Sequence, residues 1–378
     1  MLVVLLLLLA LSPGAPASPA QAPPSPDLLR AAVAAHQAGD VATAIRLYRE
    51  FLKNYPDAAE IRSNLGAALV EDGKFAEAIP EYNAALRKLP NNPQVRMNLA
   101  LAYYKVGRLP EAVQDLELLH KLQPLELKPA LLLADCLLET GEPRKAVELL
   151  APLQEEYPDD HAVIYMLGIA LLRENRTADA QVLLDRILRD GESAESAYLL
   201  GQSEYLRQNM VAAAGRLARA IELNPNLPGA HSLYGKVLRE IGNPHAAAEQ
   251  FRAELKGNPN DFTANIETAT VLRQEGELDE ALAHTEAALR VRPTDAGALY
   301  QRASIHSVQG RTEKAREELE ELIRDHPDFA EAHAALATVY YRLKRKDDGD
   351  RERDAARRVQ QEAEKRLDEG RQRTLQQE

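Results

Sequence analysis

A chain of 378 residues, 45% hydrophobic and without tryptophan, is long enough for two globular domains, yet it shows none of the alternating apolar pattern a strand needs. Its net charge of −12 argues against nucleic-acid binding, which leans on phosphate neutralisation by a basic face, and suits basic or neutral partners. The single cysteine, Cys136, excludes a disulfide framework and a thiolate metal cluster.

The chain opens with MLVVLLLLLAL, an apolar run too short to span a bilayer, because a membrane helix needs roughly 20 such residues. Small residues at Ala15/Ala17 and at Ser18/Ala20 give two cleavage sites of the small-x-small kind. Residues 1–20 are therefore expected to be a signal peptide, and residues 21–26 a Pro/Ala-rich linker. The mature chain would then be exported to the periplasm or the extracellular space. An uncleaved segment would instead tether it to a membrane, the one circumstance in which a membrane partner is expected. The segment holds no cysteine for a lipid anchor.

From residue 27 to 343 one unit is reused. Its clearest copy is Ala59 to Asn92, AEIRSNLGAALVEDGKFAEAIPEYNAALRKLPNN. Asp57 with Glu60 reads as a capping box opening a first helix, and Leu65, Gly66 and Leu69 follow at helical spacing. Gly73 stops that helix, because glycine accepts the left-handed backbone of a helix C-terminus. Ala78, Tyr82 and Ala85 then form the stripe of a second helix, expected to run into Pro90.

The marks recur every 34 residues. Gly39, Gly73, Gly107, Gly141, Gly242, Gly276 and Gly310 hold the inner turn, and Pro56, Pro90, Pro124, Pro158, Pro225, Pro259, Pro293 and Pro327 close the units. A small residue, Ala44 and its counterparts Ala78 to Ala315, sits in each second helix, where two helix axes would leave no room for more. This helix–turn–helix period, with L-G-x2-[YL], A-x3-[FYL] and P, resembles the tetratricopeptide repeat over about 26–343. The family's tryptophan is missing from every unit. The resemblance implies an all-α, right-handed superhelical solenoid of about nine to ten units, each burying its apolar face against its neighbours.

The small residue of L-G sets a register: Ala32, Gly66, Ala100, Ala134, Gly168, Gly201, Gly235, Ala269, Ala303 and Ala337. Every step is 34 except the 33 from Gly168 to Gly201, so the joint at 189–194 is expected to be the main irregularity. Asn175 replaces the turn glycine there, and Gln208-Asn209 replaces it in the next unit; asparagine tolerates left-handed geometry. Asn175-Arg176-Thr177 is also an N-glycosylation sequon, meaningful only in a eukaryotic host. In the last unit Lys344 stands at the glycine position. Residues 344–378 read as a charged helical cap or tail, with Ala355, Val359, Ala363 and Leu367 as a thin apolar stripe.

No motif for catalysis is found: no H-E-x-x-H, no G-x-x-x-x-G-K-[ST], no G-x-G-x-x-G and no G-x-S-x-G. No cofactor is called for. The nine histidines are scattered, without metal-type spacing, and read as surface or half-buried; Cys136 reads as a buried small hydrophobe. What remains is surface. The resemblance implies that the first helices line a concave groove, with ligand contacts six and three positions before the register mark and one, four and five after it. The position two before also faces the groove in long arrays.

On this chain those positions hold Asn64, then Met97, Asn98, Tyr104 and Lys105, then Tyr165, Ile169, Leu172, Arg173, Tyr198, Gln202 and Tyr205. Later units give Lys236, Arg239, Arg273 and Tyr300. The face thus reads as aromatic in its middle and cationic beyond, although the tyrosines could equally fill space between adjacent first helices. The expected function is an exported, non-enzymatic scaffold that binds a protein or peptide in the groove. The alternatives are a glycan-binding arm, with tyrosines stacked on sugar rings, and a membrane-tethered assembly subunit of the envelope. Oligomeric state is not legible.

Overall fold

The computed structural model describes residues 26–189 and 191–375. The expected signal peptide and nearly all of the expected linker lie outside the described residues, as does Asp190; Pro26 already opens the first helix. All regular structure among the described residues is helical, in ten helix pairs.

The chain separates into two compact units at Leu223/Asn224. The first holds α1 (Pro26–Gln37) and α2 (Val41–Asn54), α3 (Ala59–Glu71) and α4 (Phe75–Leu86), α5 (Pro93–Lys105) and α6 (Leu109–Leu122). It continues through α7 (Leu127–Glu139) and α8 (Pro143–Glu156), α9 (His161–Arg173) and α10 (Thr177–Arg189), and α11 (Ala194–Leu206) and α12 (Met210–Leu223). The second unit holds α13 (Ala230–Glu240) and α14 (Pro244–Gly257), α15 (Phe262–Glu275) and α16 (Leu278–Val291), α17 (Ala296–Val308) and α18 (Thr312–Asp325), and α19 (Ala330–Arg342) and α20 (Lys346–Leu375). Within each unit every helix packs on the next in sequence, and first helices also touch each other, α9 against α7 and α11, and α17 against α15 and α19.

The inner turn explains the period. Gly73 sits at φ 73°, and the glycines of the same position in six other pairs are left-handed too. Where glycine is missing the backbone still turns the same way: Asn175 takes φ 58°, Gln208 62° and Lys344 61°. The position is fixed by the helix pairing, and the side chain adapts to it.

Packing explains the small residues. Ala44, Ala78, Ala112, Ala146, Ala213, Ala281 and Ala315 have no exposed surface. A Cβ on Gly66 would stand 2.7 Å from the Tyr82 ring, and one on Gly235 2.7 Å from the Phe251 ring. At Gly66, Gly201 and Gly235 a first helix therefore rests directly on a large residue of its second helix, while Gly168 faces Leu199 of the next first helix.

A polar strut, not seen in the sequence, recurs four residues before the register mark. Arg62 donates to the Pro56 carbonyl and to Glu81, and Arg96 to the Pro90 carbonyl and to Asp115, all at 2.6 Å. His231 reaches the Pro225 carbonyl and Gln250, and His333 the Pro327 carbonyl and Glu352. Asn265 donates to the Pro259 carbonyl at 2.9 Å and contacts His284 at 2.8 Å. Each strut ties the closing proline to both helices of its pair, satisfying a turn carbonyl that would otherwise need water.

Several expectations are corrected. The cap of α3 is Ala58, without a side-chain hydrogen bond; Asp57 lies one residue early for the position at which Asn92, Asp160, Asp261 and Asp295 cap their helices. Helix α4 ends at Leu86, before Pro90. Three histidines are core residues: His36 beside Tyr48 and Glu71, His306 on Glu318, and His333 in its strut. The joint at 189–194 falls inside one unit, where Ser193 and Ser196 cap α11 reciprocally, although α10 and α11 pack more thinly there than any other consecutive helices of that unit. The units part instead before Pro225 and Pro228, where α13 starts only at Ala230 after Gly229 at φ 75°.

The start of α20 is the second helix of the last pair: Gly349 is buried against the Tyr341 ring, Tyr341 donates to Asp350 at 2.8 Å, and Ala356 is buried. Ala355 and Val359 are half-buried, but Ala363 is exposed, and the Leu367 side chain lies outside the described residues. No described helix is long and apolar enough to cross a membrane.

Candidate functional site

The register positions place one coherent group in the N-terminal unit, on the first helices α5, α7, α9 and α11. From α5, the Tyr104 hydroxyl donates to Asp135 Oδ2 of α7 at 2.7 Å. From α9, Arg173 donates to the Leu138 carbonyl at 2.6 Å and lies 3.5 Å from Glu139. The Tyr165 and Tyr198 rings meet edge to face, centroids 6.0 Å apart, which joins α9 to α11. The five side chains Tyr104, Asp135, Arg173, Tyr165 and Tyr198 thus follow one another across four consecutive first helices.

The electrostatics of this group are set by burial. It pushes the Asp135 carboxyl up to about 6, helped by the negative Glu139; the Tyr104 hydroxyl and the Arg173 guanidinium pull the other way. Burial also raises the Tyr165 hydroxyl well above the usual phenol range, with Tyr198, Glu195 and Asp135 adding to it. That hydroxyl and the Gln202 Oε1 are buried and have no hydrogen-bond partner within the protein. Buried polar atoms are seldom left so, and both lie beneath the surface of the group rather than on it.

The other residues drawn from the sequence are placed differently. Asn64 is 3% exposed and part of the core, so it forms no open rung. Asn98 accepts from Gln94 at 3.1 Å and bonds the Tyr82 hydroxyl, which spends it on packing between α4 and α5. Tyr198 and Gln202 are buried at 4% and 7%, while Tyr205 is half-buried. The tyrosines therefore partly fill space between first helices.

In the second unit one cation of the expected stretch is paired with a carboxylate. Arg239 pairs with Glu267 at 2.6 Å, and the charge of Lys236 also acts on that carboxyl. Arg273 keeps a buried Nε without a partner, and Tyr300 packs edge-on to Phe329 at 5.5 Å. The residues the sequence reading passed over are carboxylates: Asp135, Glu139 and Glu267 stand one after, five after and two before their register marks. They occupy the very positions surveyed, and a survey that counted acids beside Tyr, Arg and Lys would have found them.

No group of three or more His, Cys, Asp or Glu side chains able to hold a metal occurs among the described residues. Cys136 is buried, and burial raises its thiol far out of the reactive range.

Comparison with known proteins gives the same architecture. One sequence model described as tetratricopeptide repeat matches residues 29–93, 165–228 and 235–298, more than half of the chain; a second of that description matches 69–125, 107–167 and 272–349. No curated protein matches. The crystal structure of the APC/C hetero-tetramer Cut9–Hcn1 superposes with a TM-score of 0.53 at 14% identity, covering 88% of this chain and 86% of that one. The crystal structure of MamA gives a TM-score of 0.39 at 19% identity over 44% of this chain and 97% of that one. The chain belongs to the tetratricopeptide repeat family, whose members are typically non-catalytic scaffolds of protein–protein interaction.

Proposed function

We propose that this protein is an exported, non-catalytic scaffold that captures an extended protein segment along the first helices α5 to α11. The observation that carries the reading is that Tyr104, Asp135, Arg173, Tyr165 and Tyr198 stand on four consecutive first helices, with Tyr104 hydrogen-bonded to Asp135 and the Tyr165 and Tyr198 rings in contact. The exposed Lys105 and the half-buried Tyr205 on these helices offer an extended peptide a charge and apolar contact with few rotatable bonds. Glycan stacking is the weaker reading, because Tyr165 and Tyr198 face each other edge-on and Tyr300 faces Phe329, which leaves little open ring face.

Export rests on the apolar run and small-x-small sites at the N-terminus. Mass spectrometry of the native protein should find a mature chain beginning at Ser18 or Gln21; intact Met1 on a cytoplasmic protein would overturn this part. Capture is tested by affinity purification from the native source with the wild type and with Lys105→Glu/Tyr205→Ala. A protein retained by the wild type and lost by the variant, at unchanged melting temperature, supports the reading. Unchanged retention opposes it.

A further inference from the structure

Away from the first-helix face, the N-terminal unit carries a surface concavity of about 460 Å³ between the second helix α2 and the turn leading into α4. That volume is within the range of about 300–1,000 Å³ usual for ligand clefts. On a chain of net charge −12 it is lined by four cations, Arg46, Arg49 and Lys53 from α2 and Lys74 from the turn, against the two carboxylates Glu50 and Asp72.

Arg46, Arg49 and Lys53 follow at i, i+3 and i+7, so they share one side of α2 over roughly 10 Å at 1.5 Å per residue. Their existing ion pairs leave them available. Arg46 stands 3.8 Å from Glu50 and Arg49 2.6 Å from Glu77, with all four side chains about half exposed or more; Lys74 stands 2.7 Å from Asp72. Solvent-exposed pairs of this kind contribute little, because water and salt screen them, so an incoming anion exchanges with them at small cost.

We propose that this concavity binds an acidic peptide segment laid along α2. Alternate side chains of an extended peptide are roughly 6.6 Å apart, close to the roughly 4.5–6 Å steps between the three helix cations. A compact anion such as phosphate would meet only part of the stripe. The site lies on second-helix surface and stands or falls independently of the first-helix groove.

The test is fluorescence anisotropy of the full chain with a labelled octapeptide of alternating glutamate and alanine, and with its lysine counterpart. The glutamate peptide should bind, the lysine peptide should not, and added salt should weaken binding steeply. Arg46→Gln/Arg49→Gln/Lys53→Gln should weaken it at least tenfold and flatten the salt dependence. Arg219→Gln on α12 should leave it unchanged, with circular dichroism as the folding control. Should the triple variant lose helicity, Lys53→Gln alone must still weaken binding about threefold. Equal binding of the lysine peptide, or unchanged affinity in these variants, overturns the site. Tripolyphosphate displacing the probe more readily than unlabelled glutamate peptide overturns the peptide assignment.

Discussion

The Asp135 carboxyl releases its proton near pH 6 in the folded chain against an ordinary 3.8. Between those values the folded state binds more protons than the unfolded one, so this group costs stability as pH rises through 4 to 6 and relieves it as pH falls. Asp135→Asn keeps an acceptor for Tyr104 and removes the charge. It should therefore gain on the wild type between pH 4 and pH 7.5, by on the order of 2 kcal/mol, read from urea melts at both pH values. A constant difference across that window would mean the carboxyl is not held up. Burial separates two tyrosines of the same register position: Tyr198 is 4% exposed, while Tyr165 is half-buried. Tyr198→Ala should cost about 3–5 kcal/mol, the range of large aromatic truncations in a core, and Tyr165→Ala clearly less, by thermal melting. The register said that these rings share a face. Their depth depends on which neighbours flank them, and one unit's pattern does not carry that.

Helix pairs are joined by struts of unequal burial, which gives a graded expectation. The Arg96–Asp115 pair is only 14% and 13% exposed, and burial already pushes the Asp115 carboxyl upward against the pull of Arg96. Arg96→Ala strands that carboxylate and should cost about 3–5 kcal/mol. Arg62→Ala, at a pair 23% exposed on both sides, should cost less, and Arg96→Ala/Asp115→Asn should recover part of the loss. Equal effects of the two single substitutions would show that the strut is not electrostatic. At the C-terminal end, α20 docks through Gly349, Asp350, Glu352 and Ala356, while residues 361–366 are exposed. Deleting 361–378 should leave melting temperature and solubility unchanged, whereas deleting 346–378 uncovers α19 and should lower both. Boundaries and turns were legible because the left-handed inner turn repeats; the struts were not, since their members change from Arg to His to Asn while the geometry stays.

For the molecule as a whole, the 34-residue period was enough to read nine to ten helix pairs and their family, because a repeat specifies its own packing partner. It did not reveal where the chain divides, since the division follows the two prolines and glycine at 225–229 and leaves the register step at 34. Nor did it reveal that Arg239 is neutralised, because Glu267 lies one unit on. The central claim is that a protein segment is held on the first helices of the N-terminal unit, and site-specific photocrosslinking in the native cell tests it most directly. A benzophenone side chain placed at Lys105 or at Tyr205 should trap the same protein partner, while one placed at the exposed second-helix positions Val182 or Val211 should trap none. Crosslinks from Val182 and Val211 alone would place binding on the opposite surface and contradict the account.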